Sequence, residues 1–236
     1  MKKQVIITGG GSGSRMKTDI PKQFLEIDGI PILFYSMAAF ALYEQDISII
    51  LTLPENSIPY WKKLVAKHNF NIEHQVIKGG DTRFQSVKNG LSLVSEQTIV
   101  AIHDAVRPFV SAEVISKSFS QAETLGGVIP IVPVVDSIRK INTHENQILN
   151  RNEIFSVQTP QVFQSNLLKS AYLVFENSLF TDDASVFEHS FNSVSTIIGN
   201  RENIKITSPM DLVIAESFVK SLSNDPSFPQ IGFFKR

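Results

Sequence analysis

The sequence predicts an α/β fold with a mostly parallel sheet, and three observations indicate it. Short runs rich in Val, Ile and Leu recur along the 236-residue chain, as expected for strands covered on both faces. Stretches with apolar residues at helical spacing lie between these runs. Strand and helix therefore alternate, as they do when helical crossovers join parallel strands. Folds of this kind bind ligands beyond the carboxyl ends of their strands.

The predicted strands are short and separated by helical patterns. They cover residues 4–8, 47–53, 73–77, 99–102, 128–131 and 194–198. One helix is predicted where Val87, Leu91 and Val94 share a face. A second carries Leu212, Ala215, Val219 and Leu222 on one face. It begins with Ser208 as the N-cap and Pro209 at the first helical position, and Asp211 lies in its first turn.

Composition excludes several classes of protein. The chain has no cysteine, so a disulfide scaffold, a thiolate metal site and a cysteine nucleophile are excluded. A net charge of −1 gives no basic field for bulk nucleic-acid binding. The apolar runs are shorter than the roughly 20 residues of a membrane span, and the run at 5–7 is too short for a signal peptide. We expect a soluble cytoplasmic protein with no nucleic-acid or membrane partner.

One polar stretch, residues 136–157, interrupts the alternation. Short alternating pieces flank a turn-like centre of Asn, Thr, His and Glu. This pattern predicts an extended hairpin that projects from the domain. From the residues alone, an ordinary surface hairpin is an equal alternative.

A glycine-rich turn follows the first predicted strand, and Arg15 and Lys22 come after it. Glycines let backbone N–H groups approach an anion closely. The turn lacks the Gly-Lys-Ser/Thr of a Walker A loop. It also lacks the third glycine and later acid of a dinucleotide fingerprint, which disfavours an NAD-linked dehydrogenase. A cationic cradle for a triphosphate is the functional interpretation, and a flexible turn beside two solvated cations is the alternative.

Asp104 and Arg107 follow the strand predicted at 99–102. A carboxylate at a strand's carboxyl end is suited to Mg²⁺, which prefers oxygen ligands, and an arginine three residues on is suited to a phosphate. A local Asp104–Arg107 ion pair is the alternative. We expect His103 to have a structural role.

The glycine pair at 79–80 leads into the helix pattern that contains Ser86. Asp81 and Ser86 are candidates for reading a nucleobase, while the alternative makes Asp81 a helix N-cap. Further along, we favour a helix start over a metal site for Asp183 and leave Asp182 open. Lys205 lies between two isoleucines, so its amine reaches either a cleft or solvent.

In this order, the segments resemble the 2-C-methyl-D-erythritol 4-phosphate cytidylyltransferase family of the non-mevalonate isoprenoid pathway. The matching motifs are GGGSGSRM at 9–16, PKQ at 21–23, GGDTR at 79–83, HDAVRP at 103–108, QTPQ at 158–161, TDDAS at 181–185 and NIKIT at 203–207. Each motif alone is weakly specific, but together they cover residues 4–222 in register. Two departures occur: Gly9-Gly10 stands where the family commonly has Ala-Ala, and Ser137 stands where it often has Thr. Neither removes a charge.

The resemblance implies a Rossmann-like, mostly parallel twisted sheet flanked by helices. It implies a single nucleotidyltransferase domain over 1–236, in which an arm at about 136–157 interlocks two subunits of a homodimer. It implies in-line transfer of CMP from CTP to methylerythritol phosphate without a protein nucleophile. The implied catalytic residues are Arg15, Lys22 and Lys205; the nucleotide ligands are Gly11, Gly13, Gly80, Asp81 and Ser86; the acceptor ligands are Arg107, Ser137, Thr159 and the partner's Arg151; and the Mg²⁺ ligand is Asp104.

Three other functions stay open at this level. A cytidylyltransferase for ribitol 5-phosphate or another polyol phosphate would share the CTP half of the site. A sugar-1-phosphate nucleotidyltransferase would use another base. A non-catalytic nucleotide-binding module is disfavoured, because a binder has no need of Lys22, Asp104 and Lys205 together.

Overall fold

A computed structural model describes residues 1–10, 20–143, 145–222, 224–226 and 228. Its strands are β1 (Lys2–Thr8), β2 (Glu26–Ile27), β3 (Ile30–Pro31), β4 (Ser48–Leu53), β5 (Gln75–Lys78), β6 (Thr98–Asp104), β7 (Gly127–Pro133), β8 (Arg139–Ile141), β9 (Asn146–Ile148), β10 (Phe155–Val157), β11 (Gln161–Gln164) and β12 (Ser195–Ile198). Its helices are α1 (Ile32–Tyr43), α2 (Ile58–Lys67), α3 (Arg83–Leu91), α4 (Ala112–Leu125), α5 (Ser165–Ala171), α6 (Asp183–Phe191) and α7 (Pro209–Ser221).

The central sheet has eight strands. Along one edge-to-edge path the order is β10, β7, β11, β6, β1, β4 and β5, and β12 pairs with β7. Strands β6, β1, β4 and β5 are mutually parallel. Strand β11 is antiparallel to β6 on one side and to β7 on the other. The result is the predicted mostly parallel α/β sheet, whose carboxyl edge brings the ends of β1 and β6 together.

The central strands contain continuous apolar runs because helices cover both faces of the sheet. In β1, Val5 and Ile7 belong to one buried core and Ile6 belongs to the other. Helices α1, α4 and α7 contribute to the first core, and α3, α5 and α6 contribute to the second. This double coverage explains why the pattern of alternating polar and apolar residues is missing here.

The six predicted strands are confirmed, with ends that differ by one or two residues. The start of α7 is also confirmed: the Ser208 side chain accepts a hydrogen bond from the Asp211 backbone, and Pro209 is the first helical residue. Val94 packs in the core but lies beyond the end of α3. Strand β11 was not predicted, because its sequence QVFQ is short and polar at both ends.

The hairpin predicted in residues 136–157 is confirmed, with one correction. Strands β8 and β9 pair antiparallel with each other and form a separate two-stranded sheet. The final segment, β10, instead pairs with β7 and belongs to the central sheet. The projecting arm is therefore shorter than predicted.

No helix in the described ranges combines the length and apolar character needed to cross a membrane.

Candidate active site

A pocket opens at the carboxyl edge of the sheet, where β1 and β6 end side by side. Thr8 is paired in register with Asp104 at this edge. The loop before α3 and the 3-10 helix Lys22–Phe24 form further walls. The lining residues are Thr8, Gly9, Gly10, Lys22, Gln23, Gly80, Asp81, Thr82, Arg83, Ser86, Asp104, Val106 and Lys205.

Three cationic side chains surround the carboxylate of Asp104 at this pocket. Its Oδ2 lies 2.9 Å from Lys205 Nζ and 3.4 Å from Arg107 Nε, and its Oδ1 lies 3.4 Å from Arg83 Nε. Burial alone would raise the pKa of Asp104, but the cations Arg83, Lys205 and Arg107 hold it well below its usual range. The carboxylate is therefore ionised at neutral pH. The predicted Asp104–Arg107 ion pair exists, and Asp104 also borders the pocket.

His103 and Thr159 form hydrogen bonds that support the backbone at Asp104 and in the loop that follows it. His103 Nε2 lies 3.0 Å from the Arg107 carbonyl oxygen, and because a carbonyl only accepts, Nε2 carries the proton. Burial lowers the pKa of His103 to about 4, so the ring is neutral and Nδ1 accepts from the Thr159 hydroxyl at 3.1 Å. The same hydroxyl accepts from the Asp104 N–H at 3.1 Å. The structural role expected for His103 fits its full burial.

The loop before α3 is shaped by Gly80 and Ser86. The Ser86 hydroxyl accepts from the Gly80 N–H at 3.1 Å and donates to the Thr82 carbonyl at 2.8 Å. A Cβ on Gly80 would lie 2.2 Å from Gln85 Cβ, so only glycine fits there. Thr82, not Asp81, is the N-cap of α3, which corrects the alternative reading of Asp81. Asp81 lies exposed at the pocket.

The end of β1 is fixed to the segment that carries Lys22. Gln23 is buried and donates from Nε2 to the Gly9 carbonyl at 2.7 Å. Lys22 lies beside it on the pocket wall. The other predicted residues of the glycine turn, Gly11, Gly13 and Arg15, lie outside the described residues.

Of the two positions left open for the Lys205 amine, the cleft and solvent, the structure shows the cleft. Lys205 reaches it from an irregular segment rather than from a strand. Ile206 beside it is fully buried, and its N–H donates to the Val106 carbonyl at 2.9 Å. This bond ties the segment to the loop that follows β6, which explains why Lys205 meets Asp104.

The predicted acceptor ligands are not gathered in the pocket of this single chain. Arg107 donates from Nη1 to the Asn203 carbonyl at 2.8 Å. Ser137 and Arg151 are exposed on the arm, and Arg151 Nη1 donates to the Val135 carbonyl at 2.8 Å. The Thr159 hydroxyl is already used in the two contacts described above.

Arg83 is a residue that the sequence did not single out, and Asp183 makes a contact beyond its predicted role as a helix start. Arg83 lines the pocket and joins Asp104 to Asp183, which begins α6. Asp182 is the N-cap of α6: its side chain accepts from the Ser185 N–H. The helix start predicted at Asp183 is therefore confirmed, with Asp182 as its N-cap, and Asp183 also binds an arginine. The arginine in the motif GGDTR was the available signal.

An ionised carboxylate among cations is suited to phosphorylated substrates, and it lies at the carboxyl edge of a mostly parallel sheet, where α/β enzymes bind their ligands. Comparison with known proteins gives the family. The family described as 2-C-methyl-D-erythritol 4-phosphate cytidylyltransferase matches residues 4–221, and the chain belongs to it.

Curated relatives and solved structures agree with this assignment. Proteins of that name from Bacteroides thetaiotaomicron and Porphyromonas gingivalis are 48% and 44% identical, over 93% of this chain and 100% and 99% of theirs. The crystal structure of 4-diphosphocytidyl-2C-methyl-D-erythritol synthase from Anaerococcus prevotii has a TM-score of 0.79 at 28% identity, covering 93% of this chain and 96% of that one. The Thermus thermophilus cytidylyltransferase has a TM-score of 0.75 at 29% identity, covering 92% and 98%.

Proposed function

We propose that the pocket around Asp104 is the active site of this cytidylyltransferase. The chain is a nucleotidyltransferase that transfers CMP from CTP to 2-C-methyl-D-erythritol 4-phosphate. A phosphate oxygen of the acceptor forms a bond to the α-phosphorus of CTP, and the bond to the pyrophosphate oxygen breaks. The observation that carries the placement is the meeting of Asp104, Arg83 and Lys205 at the sheet edge.

The cations of the pocket have an electrostatic role. Both substrates are polyanions, so their repulsion must be neutralised before they can approach, and charge then develops on the transferring oxygens. Lys22 and Lys205 are placed to meet this charge, and we assign Arg15 to the same task by resemblance. Lys205 is 41% exposed, so its amine is able to turn from Asp104 toward a phosphate.

Asp104 fits the role of a Mg²⁺ ligand. No group of three acidic or histidine side chains suited to a metal occurs within the described ranges. Mg²⁺ is commonly held by one or two carboxylates together with substrate phosphates and water, and Asp104 supplies one such carboxylate at the pocket. When bound, the ion would neutralise phosphate charge.

The base of CTP is assigned to the loop before α3. Gly80 and Asp81 offer backbone groups and a carboxylate at the pocket, and Ser86 fixes their geometry from beneath. We place the triphosphate on the glycine turn, with Gly11 and Gly13 as its ligands. The assignment of the base rests on the resemblance and on the position of the loop before α3, and that of the triphosphate rests on the resemblance alone.

The acceptor is proposed to bind between two subunits. Arg107, Ser137 and the partner's Arg151 are its ligands by resemblance. For Thr159, the geometry favours support of Asp104 over a direct contact. The arm carries Ile141 and Ile148 at 70% and 65% exposure, and these apolar side chains support an interface with a second copy.

The dimer has its own test. Ile148→Lys should convert a dimer into a monomer, as measured by light scattering coupled to size exclusion. Leu125→Lys is the matched control, because Leu125 is similarly exposed but lies at the end of α4. A wild-type protein that is monomeric at assay concentration contradicts the interlocked arm.

The reaction is tested by following the label of [α-³²P]CTP. The expected result is label in the acceptor product and none on the protein after acid quench, because the attack is direct. Label retained on the protein contradicts the direct mechanism. An absence of any transfer contradicts the proposed function.

A further inference from the structure

Asp183 is a fully buried carboxylate with two close partners. It is 0% exposed. The Tyr172 hydroxyl donates to Oδ1 at 2.6 Å, and Arg83 Nη2 donates to Oδ2 at 2.6 Å. Removing a charge from water is costly unless it is paired and hydrogen-bonded. Both oxygens of Asp183 therefore have a partner that offsets its burial.

Arg83 is shared between two carboxylates at unequal distances. Its Nη2 lies 2.6 Å from Asp183, whereas its Nε lies 3.4 Å from Asp104. The shorter, charge-assisted contact is the stronger one. Asp183 thus draws the guanidinium away from close pairing with Asp104. Without Asp183, the same arginine would be free to close on Asp104.

Arg83 retains donors for a ligand. The two pairs use Nε and Nη2, and the side chain is 29% exposed on the pocket wall. The planar fork of arginine fixes the direction of Nη1 once Nε and Nη2 are held. A phosphate oxygen in the pocket is the kind of group that Nη1 would bind.

We propose that Asp183 is a positioning residue that acts through Arg83. It holds the guanidinium where Nη1 meets a substrate phosphate, and it keeps the Asp104 carboxylate available to the reaction. This inference rests on the proposed function, since it concerns the same pocket.

The kinetic test is a double-mutant cycle with Asp183→Asn and Arg83→Ala. Asp183→Asn keeps the shape of the side chain and an acceptor for Tyr172. We expect each single variant to lower kcat/KM by at least about tenfold, and the double variant to be no worse than Arg83→Ala within about twofold. Asp182→Asn is the matched control, because it lies next in sequence and asparagine is a good N-cap; it should stay within about threefold of wild type.

Losses that multiply in the double variant would overturn the inference, because they would show that Asp183 acts independently of Arg83. So would an Asp183→Asn enzyme with activity within about threefold of wild type. If Asp183→Asn does not fold, Tyr172→Phe replaces it. Tyr172→Phe keeps the ring stacked on Phe84 and removes only the hydroxyl. We expect it to lower kcat/KM in the wild-type background and to have no further effect in the Arg83→Ala background.

A second readout does not depend on activity. In ¹⁵N spectra, the Arg83 guanidinium signals are assigned by their loss in Arg83→Ala. We expect the Nη2 protons, which donate to Asp183, to exchange slowly in the wild type and at least about tenfold faster in Asp183→Asn. An unchanged exchange rate overturns the inference. If the wild-type protein shows slow exchange but no turnover, the proposed function fails and the contact between Asp183 and Arg83 stands. The two failures are therefore distinguishable.

Discussion

Replacing Lys205 by alanine tests the electrostatic role of the pocket. Its amine lies 2.9 Å from Asp104 and is the closest of the three cations there. In the proposed reaction it turns to the charge that develops on the transferring phosphoryl oxygens. The change removes this cation and leaves Arg83 and Arg107 beside Asp104.

The structure predicts unequal effects on stability and on catalysis. Lys205 is 41% exposed, so solvent screens its pair and the free energy of unfolding should fall by less than about 1 kcal/mol. A donor that stabilises charge developing in the transition state contributes about 3 kcal/mol. We therefore expect Lys205→Ala to lower kcat roughly 100-fold, with a smaller change in KM.

The assay is pyrophosphate release under saturating substrates, together with thermal unfolding. Lys117→Ala is the control, because Lys117 is an exposed lysine paired with Glu113 on α4. It should match the wild type in both measurements. Activity of Lys205→Ala within about threefold of wild type refutes the assignment, and so does a loss explained by unfolding.

Three further predictions follow from the same geometry. Gly80→Ala should raise the KM for CTP at least about tenfold, because its Cβ would lie 2.2 Å from Gln85 Cβ; an unchanged KM contradicts the base assignment. The pKa of buried His103 is lowered to about 4, so the unfolded state binds the extra proton and stability falls as pH drops from about 6.5 to 4. The free energy of unfolding falls by about 3 kcal/mol over this range. Chemical denaturation at several pH values should show this loss in the wild type and not in His103→Gln. Equal slopes of stability against pH in the two proteins would contradict the prediction. Chelation by EDTA should abolish turnover and Mg²⁺ should restore it, whereas Asp104→Asn should stay inactive with added Mg²⁺; an active variant contradicts the ligand assignment.

The sequence predicted the parts of the fold that depend on local patterns. Continuous apolar runs such as 5–7 mark strands covered on both faces, and Ser208 with Pro209 marks a helix start. Strand β11 was missed because it is held by long-range pairing with β6 and β7, not by its own residues. The shorter arm has the same cause, since β10 is recruited by β7.

The sequence predicted a shared location for residues that belong to recognisable motifs. Asp104, Lys22 and Lys205 do line one pocket. The link from Arg83 to Asp183 joins residues 100 positions apart, so no local spacing indicates it. Likewise, nothing in the sequence shows that the Thr159 hydroxyl supports the Asp104 backbone, because β11 brings that segment beside β6.

Acceptor choice is the most direct test of the central claim. The measurement is pyrophosphate release with CTP and Mg²⁺, with methylerythritol phosphate and ribitol 5-phosphate offered in separate wells. Turnover with methylerythritol phosphate alone is the predicted result. Turnover with ribitol 5-phosphate alone, or silence in both wells while CTP still binds, would contradict the proposed function.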